Sequence, residues 1–179
     1  MSKRFMVTGA AAVAAGAALL AAGVGVARAG ATPHAAAAAT HRCERRQLSL
    51  APPASNGAAG SVGLRFTFTN TSATACYLFG FPGIRLFSHG KALQTRVIRG
   101  TSNVVPFEPE NRVTLAPGGR ASFFAGYSDV PTGSQSCPTS TGANVWAPND
   151  FRSIHVRFPA QACGGRVTVS PVVPGRPTF

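Results

Sequence analysis

Ser61-Val62-Gly63-Leu64-Arg65-Phe66-Thr67-Phe68-Thr69 is the stretch that decides the fold. Val62, Leu64, Phe66 and Phe68 point to one side, and Gly63, Arg65, Thr67 and Thr69 to the other, the period-two pattern of a strand with one buried face. Similar short runs occupy 47–51, 75–79, 83–87, 93–98, 112–115, 120–127, 152–158 and 166–170. Turn chemistry separates them: Pro52-Pro53 with Asn56-Gly57, Asn70-Thr71-Ser72, Phe81-Pro82-Gly83, Ser88-His89-Gly90, Pro117-Gly118-Gly119 and Cys163-Gly164-Gly165. Each strand has one apolar face and needs an opposing sheet to cover it. The expectation is therefore an all-β antiparallel sandwich of about 8 to 9 strands, with no helix inside the domain. The segment 130–150 is the least regular and reads as one long loop carrying Cys137 and the lone Trp146.

Upstream of the strands the chain reads as an export leader. Lys3 and Arg4 precede an apolar Ala/Gly/Val-rich run over 5–26, and Ala27-Arg28-Ala29 has the small-x-small form of a cleavage site. Cleavage is expected after Ala29, with an uncleaved membrane anchor as the alternative. Residues 1–29 are then a signal peptide, 30–42 a flexible Ala-rich linker, 43–174 the sandwich domain and 175–179 a C-terminal tail. His34 and His41 on the linker offer no preset metal geometry and read as solvated. No membrane span is expected after cleavage, and the expected location is secreted or extracellular, in association with the cell envelope.

Without the leader, the remaining 150 residues carry 14 basic and 5 acidic side chains, a formal +9. Such a surface attracts polyanions. Arg65, Arg85, Arg96, Arg99, Arg152, Arg157 and Arg166 fall on the expected strands, and Arg65, Arg152 and Arg157 are the candidate contacts for anionic envelope polymers or acidic glycans. Arginine suits bidentate contact with such groups if the residues cluster. Nucleic acid fits less well, because the aromatics are not interleaved with the arginines along the chain as stacking platforms.

Four cysteines, Cys43, Cys76, Cys137 and Cys163, lie beyond the leader and should pair in an oxidising compartment. They allow three connectivities, and spacing does not choose among them. The sequential pairing, Cys43 with Cys76 and Cys137 with Cys163, is preferred because it forms two independent loops and leaves the sandwich unknotted. No C-x-x-C pair marks a redox thiol.

Cys43 and Leu48, Gly60 before Leu64-Arg65-Phe66-Thr67-Phe68-Thr69-Asn70, then Cys76-Tyr77-Leu78-Phe79-Gly80-Phe81-Pro82-Gly83-Ile84 and Leu115-Ala116-Pro117-Gly118-Gly119 resemble the domain of unknown function 4232 family. The resemblance covers 43–169. It implies an immunoglobulin-like β-sandwich with two disulfides and no assigned activity, in a family found mainly in exported and lipid-anchored actinobacterial proteins. This chain has no cysteine at the end of its apolar leader, so lipid attachment there is chemically impossible. Within the same segment Asn70 should close a turn with its side chain. At least two of Tyr77, Phe79 and Phe81 should fill the core.

Catalytic chemistry has little material. After the linker the acids and bases are Glu44, Glu108, Glu110, Asp129, Asp150, His89 and His155. Glu108-Pro109-Glu110 reads as a solvated loop, Ser128 lacks the frame of a nucleophile elbow, and His155 alternates outward between Ile154 and Val156. No metal, phosphate-loop or dinucleotide motif is present, and no cofactor is expected. The function expected is a non-catalytic binding or adhesion module. The alternative is a small hydrolase or inhibitor using the 130–150 loop.

Overall fold

The computed structural model describes residues 40–179. The expected leader, its cleavage site at Ala29 and most of the linker, His34 included, lie outside the described residues. Among the described residues the fold is an all-β sandwich of fourteen strands, many of them very short. They are β1 (His41–Arg42), β2 (Leu48–Leu50), β3 (Ala54–Ala58), β4 (Ser61–Asn70), β5 (Cys76–Leu78), β6 (Gly83–Ser88), β7 (Lys91–Ala92), β8 (Arg96–Arg99), β9 (Val113–Leu115), β10 (Arg120–Ser128), β11 (Thr139–Trp146), β12 (Ser153–Gln161), β13 (Arg166–Val169) and β14 (Val173–Pro174).

Sheet I has seven strands in the order β2-β4-β10-β13-β8, with β3 also paired to β4 and β14 to β10. Sheet II runs β12-β11-β6-β7, and sheet III runs β1-β5-β9. Pairing is antiparallel except for β13 with β8 and β1 with β5, which are parallel. The alternation of β4 does what its sequence requires. Leu64, Phe66 and Phe68 enter the core, where Phe66 stacks on Phe123 at 5.0 Å and meets Phe158 of sheet II edge-on at 5.4 Å. Ring pairs of this geometry add packing energy beyond the area they bury.

Two segments differ from the sequence reading. The 139–146 part of the expected 130–150 loop is strand β11, which lies between β12 and β6 in sheet II. Its inward residues, Ala143 and Val145, are small, so it carries none of the bulky alternation that marks β4. Asn56-Gly57, read as a turn, lies inside β3, a hairpin partner of β4. In addition, the expected linker ends two residues early. His41 and Arg42 pair with Cys76 and Tyr77, and the His41 ring is 3.0 Å from Gln47 Nε2, so His41 is tethered while remaining exposed to solvent.

Both disulfides are sequential, Cys43–Cys76 and Cys137–Cys163. Asn70 is fully buried. Its Nδ2 donates to the carbonyls of Thr74, Leu115 and Ala116 at 2.8, 3.1 and 3.3 Å, and its Oδ1 accepts from Ser72 N and Oγ. The side chain thus closes the expected turn and joins it to β9. Gly80 adopts φ +95°, a conformation that favours glycine, whereas Gly83 has no positive φ.

Tyr77, Phe79 and Phe81 depart from the expected core role. Cys76 and Leu78 face inward, so alternation turns Tyr77 outward, and Phe79 beyond it is 39% exposed. Phe81 alone of the three packs against the core.

Candidate functional site

All five carboxylates of residues 40–179 lie in loops or beside a 3-10 turn, and none is on a strand. The basic side chains are distributed the other way, with Arg42, Arg65, Arg85, Lys91, Arg96, Arg99, Arg120, Arg157 and Arg166 on strands. Among the described residues the single ion pair is Arg46 with Glu44. The sheet faces therefore present positive charge without local neutralisation.

The most developed such surface is the outer face of sheet II. Ile84, Leu86, Val145, Ile154 and Val156 point into the core, which forces Arg85, Asn144, His155 and Arg157 outward. Two rows cross the sheet. Arg85 pairs with Asn144 and Asn144 with His155; Phe87 pairs with Gly142 and Gly142 with Arg157. Directly opposed residues have Cβ atoms roughly 5 Å apart, so each row is a run of side-chain neighbours. Arg85 and Arg157 are two strand spacings apart across the sheet, roughly 10 Å, and displaced by two residues along it.

Gly142 shapes the surface. It lies beside a register irregularity between Ser140 and Gly142, and a Cβ there would come within 2.6 Å of the Val156 carbonyl oxygen and 3.2 Å of the His155 ring. Beside it a concavity of about 590 Å³ opens between Phe87, His89, Thr141, Asn144, His155 and Arg157. His155 Nδ1 and Asn144 Oδ1 are 3.0 Å apart, so Nδ1–H donates and the ring keeps Nε2 for another partner. Trp146, half-buried, stands at the end of the same face beside Gly83.

The three candidate arginines do not come together. Arg157 is in the concavity. Arg152 lies at the end of the sandwich in a mixed-charge group with Arg45, Arg46, Glu44 and Asp150, whose carboxylate accepts from the Arg45 and Arg152 backbone N–H groups. Arg65 is on the outer face of sheet I, opposite Phe124, and is already engaged: Nη1 donates to the Pro177 carbonyl at 2.6 Å and the guanidinium lies 5.8 Å from the Phe179 ring centroid. The 175–179 tail produces this arrangement. Gly175 bonds to Arg120 and Ser122, and Phe179 meets Phe124 edge-on at 5.5 Å.

Arg85, Asn144 and Gly142 are the residues of this face that the sequence reading left out of the candidate site. The signal for Asn144 and Gly142 was the alternation of 142–146, in which Ala143 and Val145 face in while Gly142, Asn144 and Trp146 face out; that for Arg85 was its place between Ile84 and Leu86. Aromatics and arginines, though not interleaved along the chain, do meet in space. Arg42 and Arg112 both approach the Tyr77 ring, and Arg99 lies over Phe81.

Near the remaining 130–138 loop a second concavity, of about 350 Å³, includes Ser61, Ser102, Ser128, Gln135 and Arg166. Ser128 Oγ is committed to the backbone of Gly60 and Val130. Among the described residues no serine, threonine or carboxylate side chain is hydrogen-bonded to a histidine side chain, and no group of three or more His, Cys, Asp or Glu could hold a metal. Among the same residues no helix is long and apolar enough to cross a membrane.

Fold and surface together define a disulfide-braced all-β sandwich with arginine-bearing sheet faces. Residues 43–173 match the family described as Domain of unknown function (DUF4232), and the chain belongs to that family. No curated protein and no solved structure matches it.

Proposed function

We propose that this chain is a secreted or envelope-associated, non-catalytic binding module that holds anionic polymers against the outer face of sheet II. One observation carries the reading: Arg85 and Arg157 project from the same face of strands without carboxylates, Arg157 with Asn144 and His155 lining a concavity and Arg85 standing beside Asn144 in the adjoining row. Two guanidiniums at fixed spacing on a rigid sheet suit a repeating acidic chain, because each planar fork can take a carboxylate or phosphate bidentately. Phe87 and Trp146 add apolar surface for the sugar or alkyl body between the charges.

Retention on an immobilised polyanion such as heparin tests this. The protein should elute at clearly lower salt when Arg85 and Arg157 are both changed to Ser, and Arg65→Ser should elute close to the unaltered chain. Equal elution of the double variant and the parent would sink the proposal.

A further inference from the structure

We infer that Arg42, Tyr77 and Arg112 form a second and separate anion site, a clamp for a tetrahedral dianion such as a phosphomonoester or diphosphate group. The site is on sheet III. Arg42 is the parallel-strand neighbour of Tyr77, and Arg112 stands two residues before Thr114, which pairs with Tyr77 on the other side. Both guanidiniums therefore converge on one ring. The Arg42 Cζ is 5.5 Å and the Arg112 Cζ 3.8 Å from the Tyr77 centroid.

Two like charges are gathered here without a counter-charge. Among the described residues neither guanidinium has an ion-pair or hydrogen-bond partner; of the carboxylates two residues away in sequence, Glu44 pairs with Arg46 and Glu110 lies toward Gly80. The electron-rich face of Tyr77 offsets part of the repulsion, but it leaves the N–H edges of both guanidiniums unused. Because β5 lies between β1 and β9, the guanidiniums reach the ring from opposite flanks, and a dianion spanning the exposed edge of the ring would take hydrogen bonds from both and offset the repulsion. A single-charged group would do so only in part.

The site is also held rigid, which lowers the ordering cost of binding. Arg42 precedes Cys43 and Tyr77 follows Cys76, so the Cys43–Cys76 disulfide fixes the two strands immediately beside the clamp, and Cys43 N donates to the Tyr77 carbonyl at 2.9 Å. Phe79, 39% exposed, offers an apolar neighbour for the body of the ligand.

The test is calorimetric titration of the full chain with inorganic pyrophosphate at fixed ionic strength, with inorganic phosphate and chloride for comparison. Arg42→Ser and Arg112→Ser should each weaken pyrophosphate binding about tenfold or more. Arg112→Lys, which keeps the charge and loses the planar fork, should fall between them and the unaltered chain. Changing Arg85 and Arg157 together should leave pyrophosphate affinity unchanged, which separates this site from the polymer-binding face of sheet II. Circular dichroism confirms that the variants are folded. Absent pyrophosphate binding, binding that survives both Ser variants, or Arg112→Lys matching the unaltered chain would overturn the clamp.

Discussion

Arg157 on β12 stands directly opposite Gly142 on β11, and Gly142 in turn opposes Phe87 on β6. The close approach of β12 leaves no room for a side chain at the middle position of this row. Gly142→Val should therefore force the β12 backbone to move and so disturb the adjoining concavity, since even a Cβ would come within 2.6 Å of the Val156 carbonyl oxygen. Overpacking of this kind costs about 1 to 3 kcal/mol. Polyanion retention should fall with it. Gly57→Val is the control, because a Cβ at Gly57 meets nothing within 4 Å. Equal retention and equal melting temperatures for the two variants would contradict this role of Gly142.

Asn70 is the polar hub of the sandwich end. Its amide satisfies three carbonyls, and a carboxylate in its place has no hydrogen to give them. Asn70→Asp should destabilise the fold by about 3 kcal/mol or more, and Asn70→Ala by about 2 to 3 kcal/mol, as buried acceptors lose their partner. Urea unfolding measures both. A midpoint unchanged in Asn70→Asp would show that the network is dispensable.

The two disulfides close loops of 33 and 26 residues. Loop-closure entropy predicts that replacing either pair with alanine costs about 3 to 4 kcal/mol. Loss of Cys43–Cys76 should also abolish pyrophosphate binding, while loss of Cys137–Cys163 should spare it. The pair of titrations separates a general loss of stability from a local loss of the clamp.

Tyr127 supplies an alkaline signature. Burial raises its phenol above the ordinary 10.0, the Asp129 charge adds to this, and a backbone hydrogen bond at Gln161 opposes it. The sign follows from linkage. Below pH 10.0 the phenol is neutral in both states and its contribution is intact; above that the unfolded chain ionises first, so stability is lost as pH rises through the folded value. Tyr127→Phe should lose less stability than the unaltered chain on going above pH 10. Parallel declines would contradict the shift.

The parts of the fold legible in sequence were those built from large side chains. β4 announced itself through Leu64, Phe66 and Phe68, and β10 through Phe123, although the adjacent Phe124 also signalled burial on the opposite face. β11 was not legible, because Ala143 and Val145 are buried by their neighbours in sheet II rather than by their own bulk. The site suffered from the same limit. Alternation placed His155 and Arg157 on one surface, but nothing local to Arg65 revealed that residues 175–179 would cover it. Likewise, the meeting of Arg42 and Arg112 over Tyr77 depends on a parallel pairing of β1 with β5, 35 residues apart along the chain, and on the antiparallel pairing of β5 with β9.

The most direct test of the polymer-binding account is a residue-resolved titration. Isotope-labelled protein is followed by amide and side-chain NMR while a carboxylated polysaccharide such as polygalacturonate is added at two salt concentrations. The account predicts that Arg85, Asn144, Gly142, His155 and Arg157 shift first, and that raising the salt reverses the shifts. Shifts spread evenly over all exposed arginines, or concentrated on sheet I around Arg96 and Arg166, would contradict it.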